Sequence, residues 1–544
     1  MSGSITLENR FGVNKMELIS LKYAIFVIVL LVLYYCFPKK YRWYVLLAGS
    51  MAYYVIICKW YVLFIIFTIC TTYGSTIWID KLLKEQNVIV KSHKEDWDRQ
   101  TRKEYKEKGR KKRVAVMLFA LLCNFGILAF LKYIPYAGEL GLLLPLGISF
   151  YTFQSMGYVM DVYREIVEPE KNFLKVALFV SFFPQIIQGP IAIYDKLAGQ
   201  LYEGHSLRLE NLQKGALLVL WGVMKKLVIA DRAVNIINFV MDKPMDFSGT
   251  YVFFAAVVYA LQLYADFSGG IDIVRGIAEM FGITMSTNFN HPYFSRSLTE
   301  YWHRWHMTLG DWCRNYIFYP LSISKRFLNF GKWLKPRFGA HISKVLPGCI
   351  ASVITFIVIG VWHGANMKYL YFGLWNGIVI MLAELFAPVN KKVAGGFFKL
   401  TGLREKGIFA TIVSVLWTFM LILVGYYFDI AANASTAFHM LFKSVTDFHI
   451  SELGINNIIL NLGACGLDEY DILLLIICTL LWFFISFVEE NKKLDMRDFI
   501  LSRKLPLRWA IIYLGIFIVI IFGYYGPGVN PADFVYTVSY THLT

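Results

Sequence analysis

Long apolar stretches separated by short charged ones frame this chain. They run over residues 20–37, 43–58, 60–79, 114–133 and 141–160, and again over 249–267, 347–363, 369–388, 408–428, 470–488 and 508–525. Most approach the roughly 20 residues that a helix needs to cross hydrocarbon. Three places break the pattern. The run at 173–188 is short and holds Phe182-Phe183-Pro184-Gln185 and then Gln188-Gly189-Pro190, which reads as a broken or re-entrant segment. Between 212 and 240, Lys225, Lys226, Asp231 and Arg232 interrupt the apolar residues, so two shorter or tilted pieces should meet at a charged junction. Within 141–160, Pro145 and Gly147 should loosen the helix. Residues 436–442 are too short to assign. Together these predict an all-α, polytopic integral membrane helix bundle of about 10–12 spans with re-entrant or interfacial helices.

One stretch is polar and aromatic at once: Asn288–Pro320, NFNHPYFSRSLTEYWHRWHMTLGDWCRNYIFYP. Its spacing predicts a single helix. Ser297 and Glu300 fit a capping box, and Trp302, Trp305, Leu309, Trp312 and Tyr316 recur at three and four to give one apolar stripe. Pro320 should end it. Glu300–Arg304 and Asp311–Arg314 have the spacings of helical ion pairs. His303 and His306 lie beside the stripe. A second landmark is Val361-Trp362-His363-Gly364-Ala365-Asn366, where His363 lies in a run without Lys, Arg, Asp or Glu from Leu346 to Met367.

Composition supports the membrane reading. The mean hydropathy is +0.51, and 57% of the residues are hydrophobic and 17% aromatic, unlike a soluble domain. The net charge of +16 would suit nucleic acid, but no nucleic-acid-binding motif is present. An excess of Lys and Arg in cytoplasmic loops explains it better. The most basic stretch, Lys81–Arg113, reads as a cytoplasmic loop, solvated or facing an acidic partner or lipid headgroups. The segment with Lys325, Arg326, Lys332, Lys335, Arg337 and Lys344 should face the same side. The eight Cys fall mostly in apolar runs and form no CxxC, so packing is expected rather than disulfides. No cleavage site follows the run after Lys15, which reads as a first span or signal anchor. No soluble domain large enough for its own active site is evident, so any chemistry belongs within or at the edge of the membrane.

Neutral His363 beside a Gly turn, between two spans, is placed to line an aqueous pocket, where an imidazole can take and return a proton near neutrality. The residues alone equally admit a structural His in a helix bundle. His303, His306 and His363 would number enough ligands for zinc. However, no H-E-x-x-H occurs and no carboxylate completes the set, so no metal is expected. There is no G-x-S-x-G, Walker A loop, dinucleotide fingerprint or DHHC, and Cys313 is expected to pack. Asp266 and Asp272 read as pathway carboxylates or as partners of Arg275.

At these motifs the chain resembles the membrane-bound O-acyltransferase family, and within it the bacterial alginate O-acetyltransferase branch. The resemblance rests on LPLGISFYTFQSMGYVMDVYR (Leu144–Arg164), SFFPQIIQGPI (Ser181–Ile191), GVMKKLVIADR (Gly222–Arg232), YADFSGGIDIVRGIAEMFGI (Tyr264–Ile283), Asn288–Leu321 and VWHGAN (Val361–Asn366), in series over about 144–380 of a single domain spanning 1–544. It implies a bundle around a central funnel, in the cell membrane, that moves an acetyl or other acyl group from a cytoplasmic thioester to a hydroxyl. His363 matches the family's near-invariant His and is implied as the general base. His306 matches the second His, in W-x-R-W-H. Trp305, Asn366 and Arg304 are implied substrate contacts, although Arg304, Asp311 and Arg314 also read as structural charges around the funnel. The implied donor is acetyl-CoA or an acyl-carrier thioester, with no tightly bound cofactor. The implied partners are the lipid bilayer, an outer-face acetyltransferase protein and a polysaccharide acceptor. The alternatives are the D-alanyl transfer protein of teichoic acid modification and, from another class, a transporter or flippase. There are departures: His303 stands where the branch often has Arg, Ser322-Ile323-Ser324 replaces a Gly-Gly after Pro320-Leu321, and the final residues depart from the usual aromatic tail and are expected to be non-native and without function.

Overall fold

The computed structural model describes residues 18–134, 142, 144–401, 404, 407–454 and 465–525. The readings at Lys15 and along the C-terminal tail lie outside these residues, as does residue 141. Every regular element among them is helical, as the apolar periodicity requires. Seven helical runs are long and apolar enough to cross a membrane: Lys39–Ser92, Arg99–Tyr133, Gly249–Met280, Lys325–His363, Ile408–Ile430, Glu469–Lys492 and Leu505–Phe522. The bent pair Met367–Leu385 and Ala387–Thr401 is an eighth if it forms one span. Lys39–Ser92 contains two of the expected segments, Arg42–Cys58 and Val62–Ser92, joined at Lys59 with φ 49°. Leu21–Cys36 and Phe173–Gln188 are apolar but shorter.

The described chain falls into two compact units, one from the described residues of 1–219 and 270–286, the other from those of 220–269 and 287–535. In the first, Val62–Ser92 packs on Arg99–Tyr133 and on Ile148–Tyr163. The basic Lys81–Arg113 stretch is helical on both sides of a turn at 93–98 rather than an extended loop. Its Lys, Glu, Gln and Arg residues are strong helix formers, and Asp98 caps the returning helix by accepting from the Thr101 N–H at 2.8 Å. Ile148–Tyr163 is buried from Ile148 to Val162. Pro145 and Gly147 precede this helix and do not loosen it. Gly147 is its N-cap at φ 71°, and a Cβ there would lie 2.2 Å from the Ile186 carbonyl oxygen, so a side chain is excluded twice over.

The run at 173–188 is broken, as expected, into Phe173–Ser181 and Phe183–Gln188 around Phe182. Buried amides hold the break: Gln154 donates to the Phe179 carbonyl at 2.6 Å, and Gln185 donates to the Pro190 carbonyl at 2.9 Å and also to Gln154. A polar group taken out of water needs such partners.

In the second unit the charged junction is also as expected. The helix Leu209–Met224, which belongs to this unit from Leu220, and Asp231–Met241 meet at a π-helical turn, Lys225–Ala230. Lys226 Nζ lies 2.6 Å from Asp266 and 2.8 Å from Asp231, Lys225 donates to Ser268 at 2.8 Å, and Arg232 bonds Asp471 at 2.9 Å. Buried ions persist only when paired in this way. Asp266 is thus paired with Lys226, while Asp272 sits 3.6 Å from Arg275 within the first unit.

Lys325–His363 breaks at Gly339 (φ 81°). Its first arm turns back, so that a Cβ on Gly331 would lie 2.9 Å from the Ser343 carbonyl oxygen. Its second arm packs along Met367–Leu385. A Cβ on Gly360 would lie 2.3 Å from the Tyr369 carbonyl oxygen, and one on Gly373 2.3 Å from that of Phe356. Small residues permit this backbone approach, and it fixes the helix end that carries His363. Gly360→Ala and Gly373→Ala should each cost roughly 1–3 kcal/mol by overpacking. Gly395→Ala, where no atom lies within 4 Å, should be neutral or better. Thermal unfolding of the purified protein in detergent checks the contrast.

Candidate active site

The Asn288–Pro320 stretch is not one helix. Leu298–Arg304 ends, Trp305 is extended, and His306 takes a left-handed conformation (φ 45°, ψ 51°) before Met307–Cys313 begins. The chain continues through a π-helical turn, Arg314–Phe318, into Tyr319–Ser322, where Pro320 lies in the first turn rather than ending the helix. The break has a specific cause. Asn290 N–H donates to the Arg304 carbonyl at 3.0 Å, and the Asn288 carbonyl accepts from Met307 N–H at 2.9 Å. The incoming Asn288–Asn290 segment therefore replaces the helical partners of residues 304–307. The N-terminus follows expectation only in part: Ser297 accepts from Glu300 N–H at 3.1 Å, but the Glu300 carboxylate takes the Arg296 N–H at 2.9 Å. Both ion pairs form, Glu300–Arg304 at 2.7 Å and Asp311–Arg314 at 2.6 Å.

His306 is 2% exposed. Its Nδ1 lies 3.2 Å from Asn288 Oδ1, and the same oxygen accepts from the Thr308 N–H at 3.0 Å and the Thr308 hydroxyl at 2.9 Å. A backbone N–H only donates, so this atom is the amide oxygen. Nδ1 must then carry a hydrogen, which leaves the lone pair on Nε2. Burial, reinforced by the neighbouring His363 imidazole, pushes the His306 pKa down to about 3. His306 is thus a neutral, singly protonated imidazole at physiological pH. Its ring stands edge-on to Phe267 at 4.9 Å and has Trp362 as a neighbour at 6.2 Å.

His363 is the last residue of its helix and is half-buried. Its ring lies 4.8 Å from Trp362, 5.5 Å from Phe372 and 6.1 Å from Tyr369, the last nearly parallel. Asn366 caps the next helix by accepting from Lys368 N–H at 3.1 Å and donates to the Ala432 carbonyl at 3.4 Å. Lys368 Nζ donates to the carbonyls of Asp429 and Ala431 at 2.8 and 2.7 Å. The turn that follows His363 is therefore fastened to the 429–432 segment. Trp362 is the shared neighbour of the two imidazoles.

Trp305 is 4% exposed and lies among Phe289, Tyr301, Tyr293 and Tyr264 at 5.0–6.2 Å. Arg304 is paired with Glu300 and, at 3.1 Å, with Glu490. His303 is exposed, on the far side of the helix break from His306, so H-x-x-H does not share one face. Among the described residues no group of three or more His, Cys, Asp or Glu could hold a metal ion. Sequence reasoning missed Asn288 and Thr308. The only signal was their place in the quoted motif, since no periodicity links residue 288 to residue 306.

Residues 169–335 match the model of the membrane-bound O-acyltransferase family. His306 lies inside that match, and His363 lies beyond it. The probable alginate O-acetylase AlgI of Pseudomonas syringae pv. tomato is 30% identical over 57% of this chain and 54% of its own length. The peptidoglycan O-acetyltransferase of Helicobacter pylori is 30% identical over 51% of this chain and 56% of its own. The teichoic acid D-alanyltransferase of Bacillus subtilis is 26% identical over 52% of this chain and 67% of its own. The chain spans little more than half the length of the first two. With its seven long apolar helices among the described residues it is a multi-pass membrane protein, and over this matched stretch it is similar to the membrane-bound O-acyltransferases of the alginate O-acetylase type.

The electrostatics of His306 set a test. Between about pH 6.5 and 3 the unfolded chain binds a proton that folded His306 refuses, so stability rises with pH across this window and falls in acid, by at most about 1.4 kcal/mol per pH unit. His306→Asn, which tolerates the left-handed backbone, removes the titration. Unfolding measured from pH 7 to pH 5 should show a steeper loss for wild type than for the variant. Equal slopes would mean that the imidazole charges in the folded state.

Proposed function

We propose that this chain is an O-acyltransferase that moves an acetyl or other acyl group from a cytoplasmic thioester, across or at the membrane, to hydroxyls of a cell-surface or extracellular polysaccharide. The observation that carries the reading is the gathering of two imidazoles around Trp362 in one unit, one deeply buried with a defined tautomer. The activities named for the relatives at 30% identity are acetyl transfers to alginate and peptidoglycan.

In this reading His363 is the general base. It takes the proton of the acceptor hydroxyl as that oxygen attacks the thioester carbonyl. The tetrahedral intermediate collapses with cleavage of the C–S bond, and the imidazolium returns its proton to the thiolate. The products are an ester and a free thiol, so one proton moves and no redox step is needed. A base of this kind contributes roughly 10²–10⁴-fold in rate. His306, neutral and with its Nε2 lone pair defined, positions the donor or acceptor or shares the proton. Arg304 and Asn366, both held by other contacts, act through the shape of the site. The donor is acetyl-CoA or an acyl-carrier thioester. An outer-face acetyltransferase partner completes delivery to the polysaccharide. A D-alanyl transfer role is the second reading, favoured by the teichoic acid relative.

Proteoliposomes supplied with labelled acetyl-CoA test this. Thiol release should depend on His363, with His363→Ala lowering it by about 10²-fold or more and His306→Ala also lowering it. Release only from an acylated carrier protein would move the reading to D-alanyl transfer. Turnover unchanged in both variants would remove the catalytic assignment, and label accumulating inside without covalent transfer would identify a transporter.

A further inference from the structure

The arm from Lys325 to Phe338, ahead of the Gly339 break, has no role in the site above. Its apolar residues Phe327, Phe330, Leu334 and Phe338 recur at helical spacing. Leu334 is buried at 2%, whereas Phe338 is 55% exposed. Around this stripe stand five exposed cations, Lys325, Arg326, Lys332, Lys335 and Arg337. None of the five makes an ion pair among the described residues. Between Asp311 and Glu384 the chain contains no Asp or Glu, so no local carboxylate competes for them. Trp333 is 50% exposed with Arg337 stacked over it at 4.3 Å, and Leu328 is 54% exposed.

We propose that the Lys325–Phe338 arm is an interfacial anchor that binds the anionic headgroups of the membrane leaflet while Trp333, Leu328 and Phe338 enter the headgroup–acyl boundary. Three observations point to a bilayer rather than an acidic protein. The cations lie on a helix that also exposes large apolar side chains, the composition of helices that rest in the interface. The arm continues through a single glycine into a helix long and apolar enough to cross the membrane, which holds it at headgroup depth. A Trp next to this junction fits the aromatic belt. The excess of Lys and Arg places the arm on the cytoplasmic side, where the leaflet is anionic and attracts polybasic segments.

The test uses the full chain in nanodiscs of equal phosphatidylglycerol and phosphatidylcholine, with p-benzoylphenylalanine replacing Trp333 as photo-cross-linker and mass spectrometry of the adducts. Lipid adducts should form, enriched at least about fivefold in phosphatidylglycerol. The enrichment should fall towards one in about 1 M salt, which shortens the screening length to about 3 Å. It should also fall in the combined Lys325→Gln, Lys332→Gln, Lys335→Gln variant. The salt arm needs no charge substitution, so it stands even if that variant fails to fold. No lipid adduct, or adducts without headgroup preference, would overturn the proposal. So would adducts to an acidic protein instead of lipid when the cross-linking is done in cells.

Discussion

One side-chain oxygen does more to shape this site than any other atom. Asn288 Oδ1 takes donors from His306 Nδ1, from the Thr308 backbone and from the Thr308 hydroxyl. Together with the Asn288 and Asn290 backbone bonds, it satisfies the groups that a break in the helix leaves open. A helix interrupted deep in a protein is tolerated only when such partners exist, because each orphaned backbone group costs about 1–3 kcal/mol. The left-handed His306 adds about 1–2 kcal/mol of its own. The inserted segment offsets both, and the outcome is a buried imidazole whose two nitrogens are chemically distinct.

The same demand for pairing explains where the remaining charge lies. Lys226 stands between Asp266 and Asp231, Lys225 is hydrogen-bonded to Ser268 with Trp482 5.8 Å from its ammonium, and Arg232 reaches Asp471 and two carbonyls. These groups are buried and matched, which makes them a structural junction. A π-helical turn from Lys225 to Ala230 interrupts the α-helical pattern at this junction, the kind of bulge often found at special sites.

The sequence was most legible where period and composition act locally. Apolar run length located most of the long helices, and Phe182-Phe183-Pro184 marked a real break. The ion pairs Glu300–Arg304 and Asp311–Arg314 followed from spacing alone. Legibility failed where a distant segment overrides the local pattern. Trp302, Trp305, Leu309 and Trp312 keep helical spacing across 298–313 although the helix breaks between Arg304 and Met307, because the cause lies at Asn288. Likewise Lys81–Arg113 reads as a loop by charge, yet charge density says little about helicity when the residues are Lys, Glu, Gln and Arg. His303, His306 and His363 stood out from their local context, and the motif resemblance then selected His306 and His363 over His303. Neither their shared neighbour Trp362 nor the Asn288 contact has any periodic signature.

The two imidazoles also differ in how they are held, and this separates their chemical uses. His306 is enclosed at the helix break, so it cannot readily charge, and its orientation is set by its hydrogen bond to Asn288. His363 ends a helix whose neighbour approaches so closely that neither Gly360 nor Gly373 has room for a Cβ. It remains half-buried at the turn. A group that must accept a proton during turnover needs room for charge to develop and water or substrate within reach. A group that only orients a reactant benefits from being fixed and neutral. This contrast in packing is what supports the proposed division of labour, with His363 accepting the proton and His306 orienting a reactant.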